Sequence, residues 1–177
     1  MVQTFGKPHT PQFFIPYVMP RFYLIFMALR FNKVIQGTRE SDHYCTPKDF
    51  YQKLHKEFGF TFDPCPLRCE TFNGLEVDWN GIVYVNPPYS HIEVWIEKGL
   101  TEIRKGNAEK VVYLIPLRTD SWYWHNKILA FSEEVRLVRG RLRFGEKKDL
   151  APFGVAVIVF DKNLSGNSKL LSFEARS

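Results

Sequence analysis

The sequence predicts an α/β fold: a mostly parallel sheet of about five to six strands with helices on both faces. Three observations predict it. Strand-like and helix-like segments alternate from Ser41 onward, the strand-like runs are continuously apolar, and glycines and prolines punctuate the joints. At 177 residues, 45% of them apolar, the chain has room for one well-packed domain and not for two ordinary ones.

The first helix is predicted over "TPKDFYQKLHKEFGF", with Thr46 as N-cap and Pro47 at the first helical position. Phe50, Leu54 and Phe58 repeat every four residues as one apolar stripe, and Gly59 ends it. "FTFDPCP" reads as a short strand broken at Pro64, and "GIVYVN" as a buried strand. "SHIEVWIEKGLTEIRKG" follows as a helix with Ile92, Trp95, Ile96, Leu100 and Ile103 inward. "KVVYLIP" is a third strand, "DSWYWHNKILAF" a helix, "EVRLVRGRLRF" two short strands around Gly140, and "FGVAVIVF" a last buried strand.

This organisation places one folded domain at 41–163, with a polar, fraying tail at 164–177. Residues 1–40 read as an irregular apolar arm, or as upstream sequence from a misplaced start for which Met27 is an alternative. Pro16, Pro20 and Arg21 argue against a membrane span over 12–31, and no small-residue cleavage site marks a signal peptide. No membrane partner is expected. Three cysteines give no disulfide framework and favour a reducing cytoplasm; Cys65 and Cys69 read as small hydrophobes, so no metal site is expected. The net charge of +5 is compatible with a polyanionic partner without proving one.

Chemistry concentrates at "NPPYS". The chain leaves the strand of Ile82–Val85 through Asn86, Pro87, Pro88 and Tyr89. Each proline fixes its own φ and restricts the residue before it. The Asn86 side chain and the Asn86 and Pro87 carbonyls are thereby held as a fan of acceptors, suited to the two N–H donors of a planar amino group. Tyr89 adds a flat face on which a base can stack. In parallel sheets, ligands sit beyond the carboxyl ends of strands, so Asp63, Asn86 and Arg118 are expected along one edge, sharing one pocket.

Asn-Pro-Pro-Tyr after a buried strand resembles the catalytic motif of amino-methyltransferases. With "YCTPKDFYQKLHKEFGFTFDPCP", "VVYLIPLRTDSWYW", "VRGRLRF" and "APFGVAVIVF" in series, the stretch Tyr44–Asp161 resembles the phage-type (Dam-like) DNA N6-adenine methyltransferase family. That resemblance implies a compact, truncated Rossmann-like methyltransferase sheet. It also implies S-adenosylmethionine as methyl donor, double-stranded DNA as partner, and a base flipped into the pocket of Asn86, Pro87, Pro88 and Tyr89. No metal is called for, because the donor is a sulfonium with a neutral leaving group. A bacterial or phage-infected cytoplasm is the implied location, and GATC the target that analogy suggests.

By the same resemblance, Thr46 and Pro47 help hold the methionine end of the cofactor, and Asp63, Pro64 and Cys65 begin the cofactor-binding motif. The glycine-rich loop of larger relatives is replaced here by Pro66-Leu67-Arg68, and Asp63 and Asn86 stand only 23 residues apart. Asp63 either faces the ligand edge or caps a turn. Glu76 and Asp78 read as solvated loop charges. Arg118 and Trp122 are assigned to DNA, with His125 a surface or packing residue. Arg139, Arg141 and Arg143 would share one strand face toward phosphates, aided by Lys147 and Lys148. Two alternatives remain open: methylation of another planar amine or amide, on RNA or protein glutamine, and a catalytically silent DNA-binding relative.

Overall fold

Runs of β-branched residues build the centre of a five-stranded sheet in the order β1-β2-β4-β3-β5. The computed structural model describes residues 44–66, 72–144, 150–164 and 166–175. The strands are β1 (Gly81–Val85), β2 (Ala108–Pro116), β3 (Glu134–Arg139), β4 (Val155–Asp161) and β5 (Lys169–Glu174). β1 runs parallel to β2 and β3 parallel to β5, whereas β4 is antiparallel to both β2 and β3. The sheet is therefore mixed rather than mostly parallel. A parallel return needs a crossover, usually helical; residues 140–154 hold no helix among the described residues, and β4 comes straight back beside β3.

Two helices cover opposite faces. Val85 pairs with Tyr113 and Tyr84 with Val112, so Tyr113 and Tyr84 project to opposite sides. The Tyr113 hydroxyl donates to the Trp95 carbonyl in α2 (Ile92–Lys105) at 2.7 Å. A Cβ at position 99 would lie 2.0 Å from the Tyr113 hydroxyl oxygen, so only glycine admits this approach. On the other face, Tyr84 meets Tyr51 of α1 (Lys48–Phe58) edge-on at 5.0 Å. Phe50 and Leu54 bury the predicted stripe of α1, and Gly59 closes the helix.

Several expectations are corrected. Pro47, not Thr46, occupies the N-cap of α1 and makes no side-chain cap bond, because the Thr46 hydroxyl is engaged by Tyr84 and Asn86. "FTFDPCP" forms a single bridge, Phe62 to Val83, rather than a strand. β3 stops at Arg139, where Gly140 takes φ +86°, and Arg141–Phe144 forms no strand, its Leu142 carbonyl accepting the Ala151 N–H at 2.9 Å. The stretch expected to fray supplies β5. "DSWYWHNKILAF" is wound partly as a π-helical turn, Trp124–Ile128, continued by Leu129–Phe131. No helix among the described residues is long and apolar enough to cross a membrane. The N-terminal arm, Leu67, Arg68, Cys69, Lys147 and Lys148 lie outside the described residues.

Candidate active site at the end of strand β1

The side chain of Asn86 anchors the site. Its Nδ2 donates to the Tyr44 carbonyl at 2.5 Å and to Thr46 Oγ1 at 3.0 Å. A carbonyl only accepts, so the amide nitrogen must face Tyr44, and this fixes which way the amide lies. Oδ1 is consequently turned away from these partners, and it is buried without a hydrogen-bond partner. A buried acceptor left this way costs about 1–3 kcal/mol. The fold keeps it all the same.

Asn86 lines a cavity of ≈ 310 Å³ together with Tyr44, Thr46, Lys48, Asp63 and Tyr84. That volume is at the lower end of small-molecule sites. Pro88 and Cys65 also reach it, so segments far apart in sequence converge here. Asp63 Oδ1 accepts the Cys65 N–H at 2.8 Å, a turn-capping bond, while the residue also lines the cavity. Asp63 thus caps a turn and also lines the cavity. Burial raises its carboxyl to about 6, against the opposing pull of the Cys65 hydrogen bond. Burial also pushes the Tyr84 phenol upward, so it stays neutral and shares a 2.7 Å hydrogen bond with Thr46.

Tyr89 sits in an aromatic cluster. Its ring stacks on Tyr44 with centroids 4.9 Å apart and planes 18° from parallel. Phe153 and Phe144 approach it edge-on at 5.6 and 6.2 Å. Tyr44, Lys48 and Tyr51 were not among the residues singled out from the sequence. Lys48 and Tyr51 share a helical face three residues apart, a weak signal; Tyr44 is placed by tertiary packing alone.

Arg118, after β2, is exposed and is not among the cavity-lining residues. Trp122 is 58% exposed, whereas Tyr123 and Trp124 are buried. Lys127 pairs with Glu97 of α2 and lies 5.5 Å from the Trp122 ring, which ties this loop to the helix. Arg139, Arg141 and Arg143 are exposed while Leu142 and Phe144 are buried, so the three arginines do face outward although the strand ends before the last two. Arg141 and Arg143 share a cleft with Pro47 and Asp49, which continues the basic edge to the start of α1. Arg136 is different: it is buried and paired with Glu57 and Glu134. Glu76 and Asp78 are exposed loop charges.

Comparisons with known proteins give a family and a distant structural likeness. A family model described as DNA N-6-adenine-methyltransferase (Dam) matches residues 35–177. The crystal structure of a proposed RNA methyltransferase from Pyrococcus horikoshii aligns with a TM-score of 0.38 and 16% identity. The alignment covers 51% of this chain and 48% of that one, so this chain spans about half of that protein's length. Comparison with curated proteins gives no match.

Proposed function

The chain belongs to the DNA N-6-adenine-methyltransferase (Dam) family, and from that premise we propose that it methylates the N6 amino group of adenine in double-stranded DNA, using S-adenosylmethionine. The observation that carries the proposal is Asn86 Oδ1, a buried acceptor without a partner whose orientation is locked by Tyr44 and Thr46. An exocyclic amino group is a planar donor of the kind this acceptor lacks. Accepting a hydrogen from N6 draws the nitrogen lone pair out of the purine ring and raises its nucleophilicity.

The residues present fit the implied cofactor. Asp63 gives the cavity a carboxylate that favours a cation, and Lys48 gives it an ammonium that favours a carboxylate. When bound, S-adenosylmethionine supplies an electrophilic methyl on a positively charged sulfur. Asp63 and Lys48 would hold its charged ends, with Thr46 and Cys65 shaping the wall, while Pro47 and Pro64 would act through the backbone of those neighbours, since neither lines the cavity. Asn86 and Pro87 would orient N6 in line with the methyl carbon. Asn86 Oδ1 would hold the N6 amino group while its extra proton passes to solvent, the cofactor giving up its methyl and leaving as a neutral thioether. Positioning supplies much of the acceleration. Arg118, Trp122, Arg139, Arg141 and Arg143 would carry the DNA, with phosphate contacts dominating affinity.

The test is transfer of label from S-adenosylmethionine to genomic DNA, RNA and protein offered separately. Label appearing in DNA as N6-methyladenine supports the proposal. Cofactor binding without transfer to DNA would sink it, and label in RNA or protein would favour the alternative substrates.

A further inference from the structure

Tyr89 is the ring proposed to stack on the target base, yet it is only 3% exposed. Tyr44 lies near-parallel on it, and Phe153 and Phe144 meet it edge-on. Asn86 Oδ1 is equally closed to solvent. Both groups that would receive a base are therefore shut, and a base can enter only if a side chain moves. Pro87 and Pro88 are fixed by their rings, and Phe144, 3% exposed, is packed into the core. Phe153 is half-buried too, but it meets Tyr89 edge-on and does not line the cavity; Tyr44 is half-buried, lines the cavity, and stacks in the geometry a base would adopt.

Resting on the methyltransferase reading above, we propose that Tyr44 is a placeholder: its ring occupies the base subsite of the free protein and gives way to the extruded adenine. One planar ring leaves the Tyr89 face as another arrives, so stacking is exchanged rather than lost and the site stays dry. The tether to Asn86 uses the Tyr44 carbonyl, not its ring, so the catalytic amide can keep its orientation while the side chain swings. A fixed wall would behave in the opposite way, since removing it would strip contacts from the bound base.

Sequencing of methylated bases in DNA treated with the wild-type protein first identifies the target. Failure at this step overturns the underlying methyltransferase assignment rather than the role of Tyr44. With a duplex carrying that target, Tyr44→Ala is expected to lower KM for DNA by about three- to tenfold, the scale of one aromatic pair. A KM unchanged or raised in Tyr44→Ala overturns the placeholder. Should Tyr44→Ala fail to fold, fluorine NMR of 3-fluorotyrosine-labelled protein decides, with Tyr44→Phe identifying the resonance. Addition of the duplex and S-adenosylhomocysteine should move the Tyr44 signal; a signal that stays fixed while DNA saturates overturns the proposal.

Discussion

Position 86 needs a side chain that donates on one side and accepts on the other, and the short amide of asparagine does both without charge. Asn86→Ala is expected to cut methyl transfer by at least about a hundredfold, in line with losing one preorganised hydrogen bond at a reacting centre. Asn86→Asp keeps an acceptor but loses the donor to Tyr44 and Thr46, and should cost about tenfold, roughly one net hydrogen bond. Single-turnover rates with saturating cofactor separate the two; equal losses would mean that the acceptor is not the active element. Asp63 makes a prediction of different sign. Its folded value of about 6 lies above the ordinary aspartate range near ~3.9. The charged form is therefore disfavoured in the ligand-free fold: stability is fullest below about pH 4 and falls as pH rises toward 6. Asp63→Asn should raise the Tm of the ligand-free protein at pH 7.5 and leave it nearly unchanged at pH 4. A cationic ligand needs the ionised form, so cofactor affinity should be flat above pH 6 and weaken by up to about tenfold per unit below it. Titrations of Asp63→Asn should lose that dependence.

At the scale of elements, the short interval between Asp63 and Asn86 is held by a loop pinned to α2. Trp79 is fully buried and donates its indole N–H to the Gly74 carbonyl at 2.7 Å. Its backbone N–H reaches Glu102, which is 0% exposed and also accepts from Lys98, Lys105 and Asn107. Burial pushes the Glu102 carboxyl up, but these hydrogen bonds outweigh it and hold it at about 2. With the folded value depressed, this stabilisation is present above about pH 4.3 and is lost as pH falls toward 2. Glu102→Ala strands Lys98 and should cost about 3–5 kcal/mol in urea unfolding at pH 7, with the cost shrinking by pH 2.5. A cost that does not vary with pH would show that the carboxylate is not the source. The segment after β3 makes a functional counterpart. Replacing Arg139, Arg141 and Arg143 together by alanine should lower the slope of log affinity against log salt by about two to three, one unit per phosphate contact. Arg136→Ala, by contrast, should act on folding, because its guanidinium is spent on Glu57 and Glu134.

Across the whole molecule, what could be read in advance followed from how strongly each segment carries its own signal. β1, α2, β2 and β4 are apolar runs or stripes with clear stops, and all four formed where expected. Asn86 lines the cavity where β1 ends, as a residue leaving a buried strand is expected to, and Asp63 reaches the same cavity after a single bridge, whereas Arg118, after β2, does not. Strand direction was not legible, because an apolar run reads alike in either direction. Tyr44 escaped because its stacking exists only after segments 44–46 and 86–89 meet. β5 escaped for a third reason: "KLLSFE" has five exposed residues of six, and its place is set by backbone pairing with β3, which leaves no hydrophobic pattern. That strand nevertheless supports the site. Phe173 meets Phe50 of α1 edge-on at 5.7 Å, and Lys53 Nζ donates to the Glu174 carbonyl at 3.0 Å. α1 in turn carries Lys48 and Tyr51 into the cavity. Deleting residues 164–177 should therefore bare the edge of β3, loosen α1 and destabilise the protein by about 3 kcal/mol or more. Cofactor affinity should fall with it, even though no described residue of that stretch lines the cavity. A truncated protein with unchanged Tm and unchanged cofactor binding would return this segment to the status of a dispensable tail.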